Sequence, residues 1–193
     1  MWNRVFNYGK YHLKGLVMKF KVFMTTILFV SLTSPFITGC GSSVKRMSSS
    51  SLALENKHPY SVKVEVTGWE KIDKLQTSGL TNERFAQTVA GSIKNTGLFN
   101  EVIETGNANY KLKITVLEHV LPAHIGDFDL PLKTQWQLID SADKVVWTDT
   151  VASVYTSKLA DELTTFDRLQ KANENVVKIN IEEGIKRISQ LKL

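Results

Sequence analysis

The chain has 193 residues, 42% of them hydrophobic and 22% charged, and a formal net charge of +5. The positive excess is confined to the N-terminus. Five of the 24 basic residues (Arg4, Lys10, Lys14, Lys19 and Lys21) precede Cys40 and none of the 19 acidic residues does, so residues 40–193 are electrically neutral. That remainder suits one domain with a proper core, and it lacks the electrostatic footprint that a nucleic-acid partner requires.

Met1 to Val17 carry Arg4, Lys10 and Lys14 without an acid. Met18-Lys-Phe-Lys21 would serve as a start by itself, so translation is expected from Met18, or else residues 1–17 are cytoplasmic and removed. In both cases they stand outside fold reasoning. An apolar run from Val22 to about Phe36 follows the two lysines and is interrupted near its end by Pro35. It is too short to span a bilayer comfortably and reads as the apolar region of a secretory signal. Ile37-Thr-Gly-Cys40 closes it: a branched apolar residue, two small ones, then the only cysteine of the chain.

This tetrapeptide resembles the lipobox of bacterial lipoproteins. The resemblance implies a diacylglyceryl thioether on Cys40, cleavage before it so that residues 1–39 are a signal peptide, and acylation of the new amino group with chains such as palmitate. Gly41, where an aspartate would retain many such proteins in the inner membrane, implies sorting to the outer membrane with the domain on its periplasmic face. Each buried methylene contributes about 0.8 kcal/mol and stable anchoring takes more than one chain, so three chains would hold the protein permanently. The competing reading, a buried structural thiol, sits poorly between a hydrophobic signal and a serine-rich stretch.

Gly41 to Pro59 contains Ser42, Ser43 and Ser48 to Ser51 without periodicity, and is expected to be a flexible tether reaching roughly 25 Å. Ser51-Leu-Ala-Leu54 is apolar enough for part of it to dock. The domain is then expected over residues 60–193. Val62, Val64 and Val66 alternate with Lys63 and Glu65 in a half-buried strand ending at Gly68. Trp69 to Gly79 has no clear period and reads as a loop. Thr81 offers a helix N-cap, Phe85, Val89 and Ile93 form a stripe, and Gly97 is placed to end the helix. Residues 100–105 read as a short strand, and Tyr110, Leu112, Ile114 and Val116 as the clearest one. A loop from Ala123 to Leu130 leads to Leu132, Thr134, Trp136 and Leu138, which pair across an Asp140–Lys144 turn with Val145–Tyr155, bringing Trp136 and Trp147 close to cross-strand positions. Thr164 or Thr165 caps a last helix to about Gln190. Asn173, Asn180 and Gly184 fall within its apolar arc, so the amides need partners and the glycine lets the helix approach the sheet closely. Arg168 falls outside that arc.

The order β-α-β-β-β-β-α predicts a two-layer α+β domain, a mostly antiparallel sheet of about five strands with both helices on one face. The other face is expected to be wet, carrying Lys63, Glu65, Lys111, Lys113, Lys133, Gln135 and Gln137.

Little in the chain points to catalysis. There is no free cysteine beyond Cys40, no Gly-x-Ser-x-Gly and no glycine-rich phosphate loop. His119, His124, Asp127 and Asp129 invite a metal reading but lack helical His spacing or thiolates. We therefore expect no catalytic residue, no metal and no cofactor. The segment from Leu121 to Pro131 places Leu121, Ile125, Phe128 and Leu130 among polar residues. These make a partner-binding loop, unless they fold back over the sheet end.

Element order, anchoring and the phrases Thr96-Gly-Leu-Phe99 and Asn180-Ile181 make residues 60–193 resemble small envelope lipoproteins. These are the amino-terminal domain of TolB, CsgG-like secretion lipoproteins, penicillin-binding-protein activators and lipopolysaccharide-assembly lipoproteins. The resemblance implies a non-enzymatic accessory subunit in envelope assembly or transport, bound to the membrane through Cys40 and to an envelope protein partner. The alternative is a carrier holding a lipid or another amphiphile between sheet and helices.

Overall fold

The computed structural model describes residues 44–49, 52–72, 78–122 and 126–193. Cys40 and the signal segment lie outside them. Five strands form one open sheet in the order β2-β1-β3-β4-β5. They are β1 (His58–Thr67), β2 (Phe99–Val102), β3 (Tyr110–His119), β4 (Phe128–Asp140) and β5 (Val145–Ser157). Two long helices, α3 (Asn82–Thr96) and α4 (Thr165–Ser189), cover one face, and two single turns, α1 (Val44–Met47) and α2 (Trp69–Ile72), complete the domain. The domain is thus the expected two-layer α+β type. Its longer ladders, β3–β4 and β4–β5, are antiparallel, while β1 pairs parallel with both β2 and β3. The parallel pairing follows from connectivity, because α3 carries the chain from β1 to β2 in a crossover that a hairpin cannot make.

The caps sit where the sequence puts them. Thr81 accepts from the Arg84 N–H and Thr164 from the Asp167 N–H, each satisfying a donor at its helix start. Gly97 adopts φ 66° and sends its N–H to the Ile93 carbonyl, which the Leu98 N–H also reaches. In the hairpin turn, the Asp140 carboxylate accepts from the N–H groups of Ala142 and Lys144. Trp147 stands opposite Leu138 and Trp136 opposite Asp149, so the two tryptophans are one step out of register. Trp136 is buried under α4 and Trp147 is only half-buried.

Several boundaries move. α2 replaces part of the expected loop because Trp69 is drawn into the core, against Phe85 and His119. β2 is shorter than expected and begins at Phe99. β4 begins at Phe128 and includes Pro131, which a fully paired strand would exclude. The ladder to β3 ends at Leu132, so only β5 flanks Pro131 there, and its free carbonyl accepts from His119 Nδ1 at 3.1 Å. The serine-rich stretch is also not a free tether where it is described. Met47 is fully buried, Leu52 and Leu54 pack on the core, and His58 and Pro59 already belong to β1. Three apolar side chains within eight residues of a supposed linker were enough to dock it, as the apolar stretch Ser51–Leu54 suggested for part of it.

α4 is fixed by its polar interior as well as its apolar stripe. Asn180 is wholly buried, and its Nδ2 donates to the Val151 carbonyl at 3.2 Å and to Ser153 Oγ at 3.2 Å. Its Oδ1 accepts from Thr134 Oγ1 at 2.7 Å, and Thr134 in turn accepts from the Trp136 indole N–H at 2.8 Å. One turn along, a Cβ on Gly184 would fall 2.5 Å from the Trp136 ring, so only glycine lets the helix sit this close. Asn173 is buried too, but its Oδ1 has no hydrogen-bond partner among the described residues, contrary to expectation. Arg168, placed outside the arc from the sequence, is buried because its guanidinium lies over the Phe128 ring at 4.9 Å and donates to the Gly126 carbonyl.

Asn180→Asp should destabilise the domain by about 3 kcal/mol near neutral pH, because a carboxylate oxygen would face the Val151 carbonyl where an N–H now donates. Burial raises the folded pKa of such an aspartate, so its deficit should shrink as pH falls and grow as pH rises above about 4. Lys178→Asp should cost less than about 1 kcal/mol by urea titration. Gly184→Val should cost about 2–3 kcal/mol in the same measurement, since the ring must move.

Candidate functional site

β2 ends at Val102, which pairs with Val62, so among the described residues no strand pairs with β1 on that side at Val64. α3 passes above this gap with Ala86, Ala90 and Gly91, residues too small to fill it. The result is an open groove of about 470 Å³ lined by Val64, Val102 and Ile103 from the sheet side and by these three from the helix. Gln87, Lys94 and Glu104 form its rim, with Lys94 and Glu104 ion-paired at 3.4 Å. An apolar floor with a few polar rim groups suits a hydrophobic side chain or a single acyl segment approached from outside. The shortness of β2 is what opens a groove beneath Ala86, Ala90 and Gly91.

The second feature is the docked N-terminal segment. The Arg46 guanidinium holds Glu174 of α4 in a bidentate pair, Nε to Oε2 at 2.7 Å and Nη2 to Oε1 at 2.8 Å. The glutamate is buried and the arginine largely exposed, so this is a partly desolvated, well-shaped pair. The Ser49 N–H donates to Ser92 of α3, and the Ser48 hydroxyl lies 3.3 Å from where a Cβ on Gly91 would be. Val44 is four residues from Cys40, so no more than about 14 Å of extended chain separates them. An anchor on Cys40 would therefore hold the helical layer close to its membrane.

The residues named from the sequence are dispersed. Phe128 and Leu130 lie in β4 with buried side chains, Leu121 packs half-buried on the core, and Ile125 falls outside the described residues. Phe128 and Leu130 are therefore core side chains of a strand, because β4 starts four residues earlier than its alternation suggested. Asp127 accepts from the Leu159 N–H and Asp129 from Thr156 Oγ1, each at 2.7 Å. His119 stacks edge-on against Trp69, and His124 falls outside the described residues. His58 tilts against Phe99, with Nε2 3.1 Å from the Ile188 carbonyl. Among the described residues no group of three His, Cys, Asp or Glu side chains could hold a metal ion.

No protein-family model matches the chain, and no curated protein matches it in sequence. Solved structures share its fold. Protein XCC0632 from Xanthomonas campestris, of the DUF330 family, superposes with a TM-score of 0.57 at 14% identity, over 72% of this chain and 89% of its own. The hypothetical protein CT253 from Chlamydia trachomatis reaches 0.50 at 8% identity, over 67% of this chain and 98% of its own. A minor lipoprotein from Acinetobacter baumannii scores 0.41 at 13% identity, over 67% and 91%, too loose a match to carry an argument. The likeness is one of fold alone.

Arg46→Ala should leave the buried Glu174 carboxylate without its bidentate partner and lower stability by about 1–2 kcal/mol, the exposed side of the pair moderating the loss. Amide exchange in residues 44–58 should rise more than in β3, as it would if the segment detaches before the domain unfolds.

Proposed function

We propose that this chain is a bacterial envelope lipoprotein, acylated at Cys40 and held on the periplasmic face of the outer membrane. There it acts as a non-enzymatic accessory subunit for an envelope protein partner. The observation that carries the reading is the lipobox Ile37-Thr-Gly-Cys40, set behind a basic and apolar signal and only four residues before a segment docked on the domain. A secreted domain that needed reach would keep its tether free. Here the anchor and the fold are coupled, as suits a module that presents one surface at a fixed height.

The groove between α3 and the β1–β2 edge is the surface we assign to the partner. It is open, sits where β1 runs past the end of β2, and is framed by Gln87, Lys94 and Glu104, which can orient a peptide. The carrier alternative calls for an enclosed apolar chamber between sheet and helices. That space is filled by Phe85, Val89, Ile93, Leu112, Ile114, Trp136, Val176, Ile181 and Ile185, all fully buried. The filled core favours the accessory reading.

Labelled palmitate should enter the protein in cells, and Cys40→Ala should abolish the label. Persistent labelling of that variant would refute anchoring at Cys40. Ala90→Trp should fill the groove, leave the thermal midpoint within about 2 °C because the site is open, and reduce partner recovery from crosslinked envelopes at least fivefold. Unchanged recovery would move the partner surface elsewhere.

A further inference from the structure

The connection from β5 to α4 leaves three large apolar side chains in solvent within eight residues. Leu159 is 59% exposed, Phe166 61%, and Leu163 fully so. The frame beneath them is built. The Leu159 N–H donates to Asp127 at 2.7 Å, the Lys158 N–H to Asp161 at 2.8 Å, and Thr164 caps the helix that carries Phe166. The nearby bases are taken up by acids. Lys171 lies 2.7 Å from Glu162 and Glu174 is held by Arg46, while Asp161 and Asp167 accept from a backbone N–H and the Thr164 hydroxyl. The surface thus displays apolar side chains on a fixed scaffold with a small acidic excess.

Its position decides what it meets. Phe166, Gln170 and Glu174 recur at four-residue spacing and share a stripe of α4 about 12 Å long. Arg46, Glu162, Asp167, Gln170, Lys171 and Glu174 together line one shallow depression of about 380 Å³. The apolar side chains therefore lie on the side of the domain where the N-terminal segment docks. Arg46 is six residues from Cys40, at most about 21 Å of chain.

We infer that Leu159, Leu163 and Phe166 form a second, interfacial contact with the membrane, inserting into the lipid leaflet beside the anchor. The inference rests on the anchoring reading above. Once acyl chains on Cys40 hold the leaflet within this span, weak insertion of a few side chains becomes intramolecular and is promoted by high effective concentration. Because the surrounding charges are slightly acidic, the contact should gain nothing from anionic lipid, unlike a polybasic patch. The insertion would set the domain's orientation, which a single lipidated residue cannot do.

The test uses the full lipidated protein in phosphatidylcholine vesicles containing doxyl-labelled lipid. An environment-sensitive fluorophore is placed on Leu163→Cys, and for comparison on Gln135→Cys of the open sheet face. With Cys40 blocked as a thioether, the introduced thiol is the one that reacts. We expect lipid quenching at position 163 to exceed that at 135 at least threefold, with no increase when a third of the lipid is phosphatidylglycerol. Phe166→Glu should return position 163 towards the value at 135. Equal quenching at both positions overturns the inference. A dry signal at 163 in native envelopes, with protein crosslinks and no lipid quenching, also overturns it and makes the patch a protein contact. Mass measurement of the same sample separates the failures. An acylated but unquenched protein refutes only the interfacial contact, whereas absence of acyl chains on Cys40 refutes the anchor as well.

Discussion

The fold depends on one buried junction between α4 and the β4–β5 hairpin. Asn180 bridges the two strands with hydrogen bonds to Val151, Ser153 and Thr134, and Thr134 passes the network to the Trp136 indole. A turn later, Gly184 lets the Trp136 ring lie against the helix. An apolar stripe alone would allow α4 to slide or rotate by small steps over a sheet of branched side chains. A buried amide does not, because leaving it unsatisfied costs about 1–3 kcal/mol while each bond made adds only about 1 kcal/mol. The junction therefore sets helix depth, helix phase and hairpin register together.

What surrounds the junction follows from that placement. With α4 seated on β4 and β5, α3 covers β1 and β2, and the short β2 leaves Val64 half-covered beneath Ala86 and Ala90. The N-terminal segment packs on both helices through Met47, Leu52 and Leu54, and is tied to α4 by the Arg46–Glu174 pair. The same helix carries Asn180 inward, Glu174 to the N-terminal segment and Phe166 to solvent. Arg187 near its end donates to Asp149 and Thr150 of β5, and its bond to Glu183 raises its pKa above the ordinary arginine value, so the guanidinium stays charged. A single element thus links core, N-terminal segment and exposed apolar patch.

The open face of the sheet has a different character. Lys63 faces Lys111, Glu65 faces Lys113, and Gln137 lies across from Lys113 on the next strand. Polar residues at matched registers make a largely solvated surface on which Leu117 and Val154 are exposed apolar side chains, and it offers no apolar floor like that of the groove. Partner and membrane surfaces are both assigned to the helical side for this reason.

The sequence by itself determined the order of strands and long helices, the Thr81 N-cap, the Gly97 stop, the hairpin turn and the wet face. All of these rest on local chemistry or on periods of 2 and 3.6 residues, which neighbouring residues express without help. It also marked Asn180 and Gly184 as anomalies on an apolar arc, and close packing against the sheet explains both. Tertiary structure alone decided the rest. Phe128 and Leu130 became core because β4 runs past the end of β3, and Arg168 became buried because Phe128 offered its ring. Asn173 looked equivalent to Asn180 on the wheel, yet no strand presents a donor to its Oδ1. The supposed tether docked because the layer between α3 and α4 had room for Met47, and the groove exists because β2 stops short. Each of these depends on where a distant element ends, and such distances are fixed only when the chain has folded.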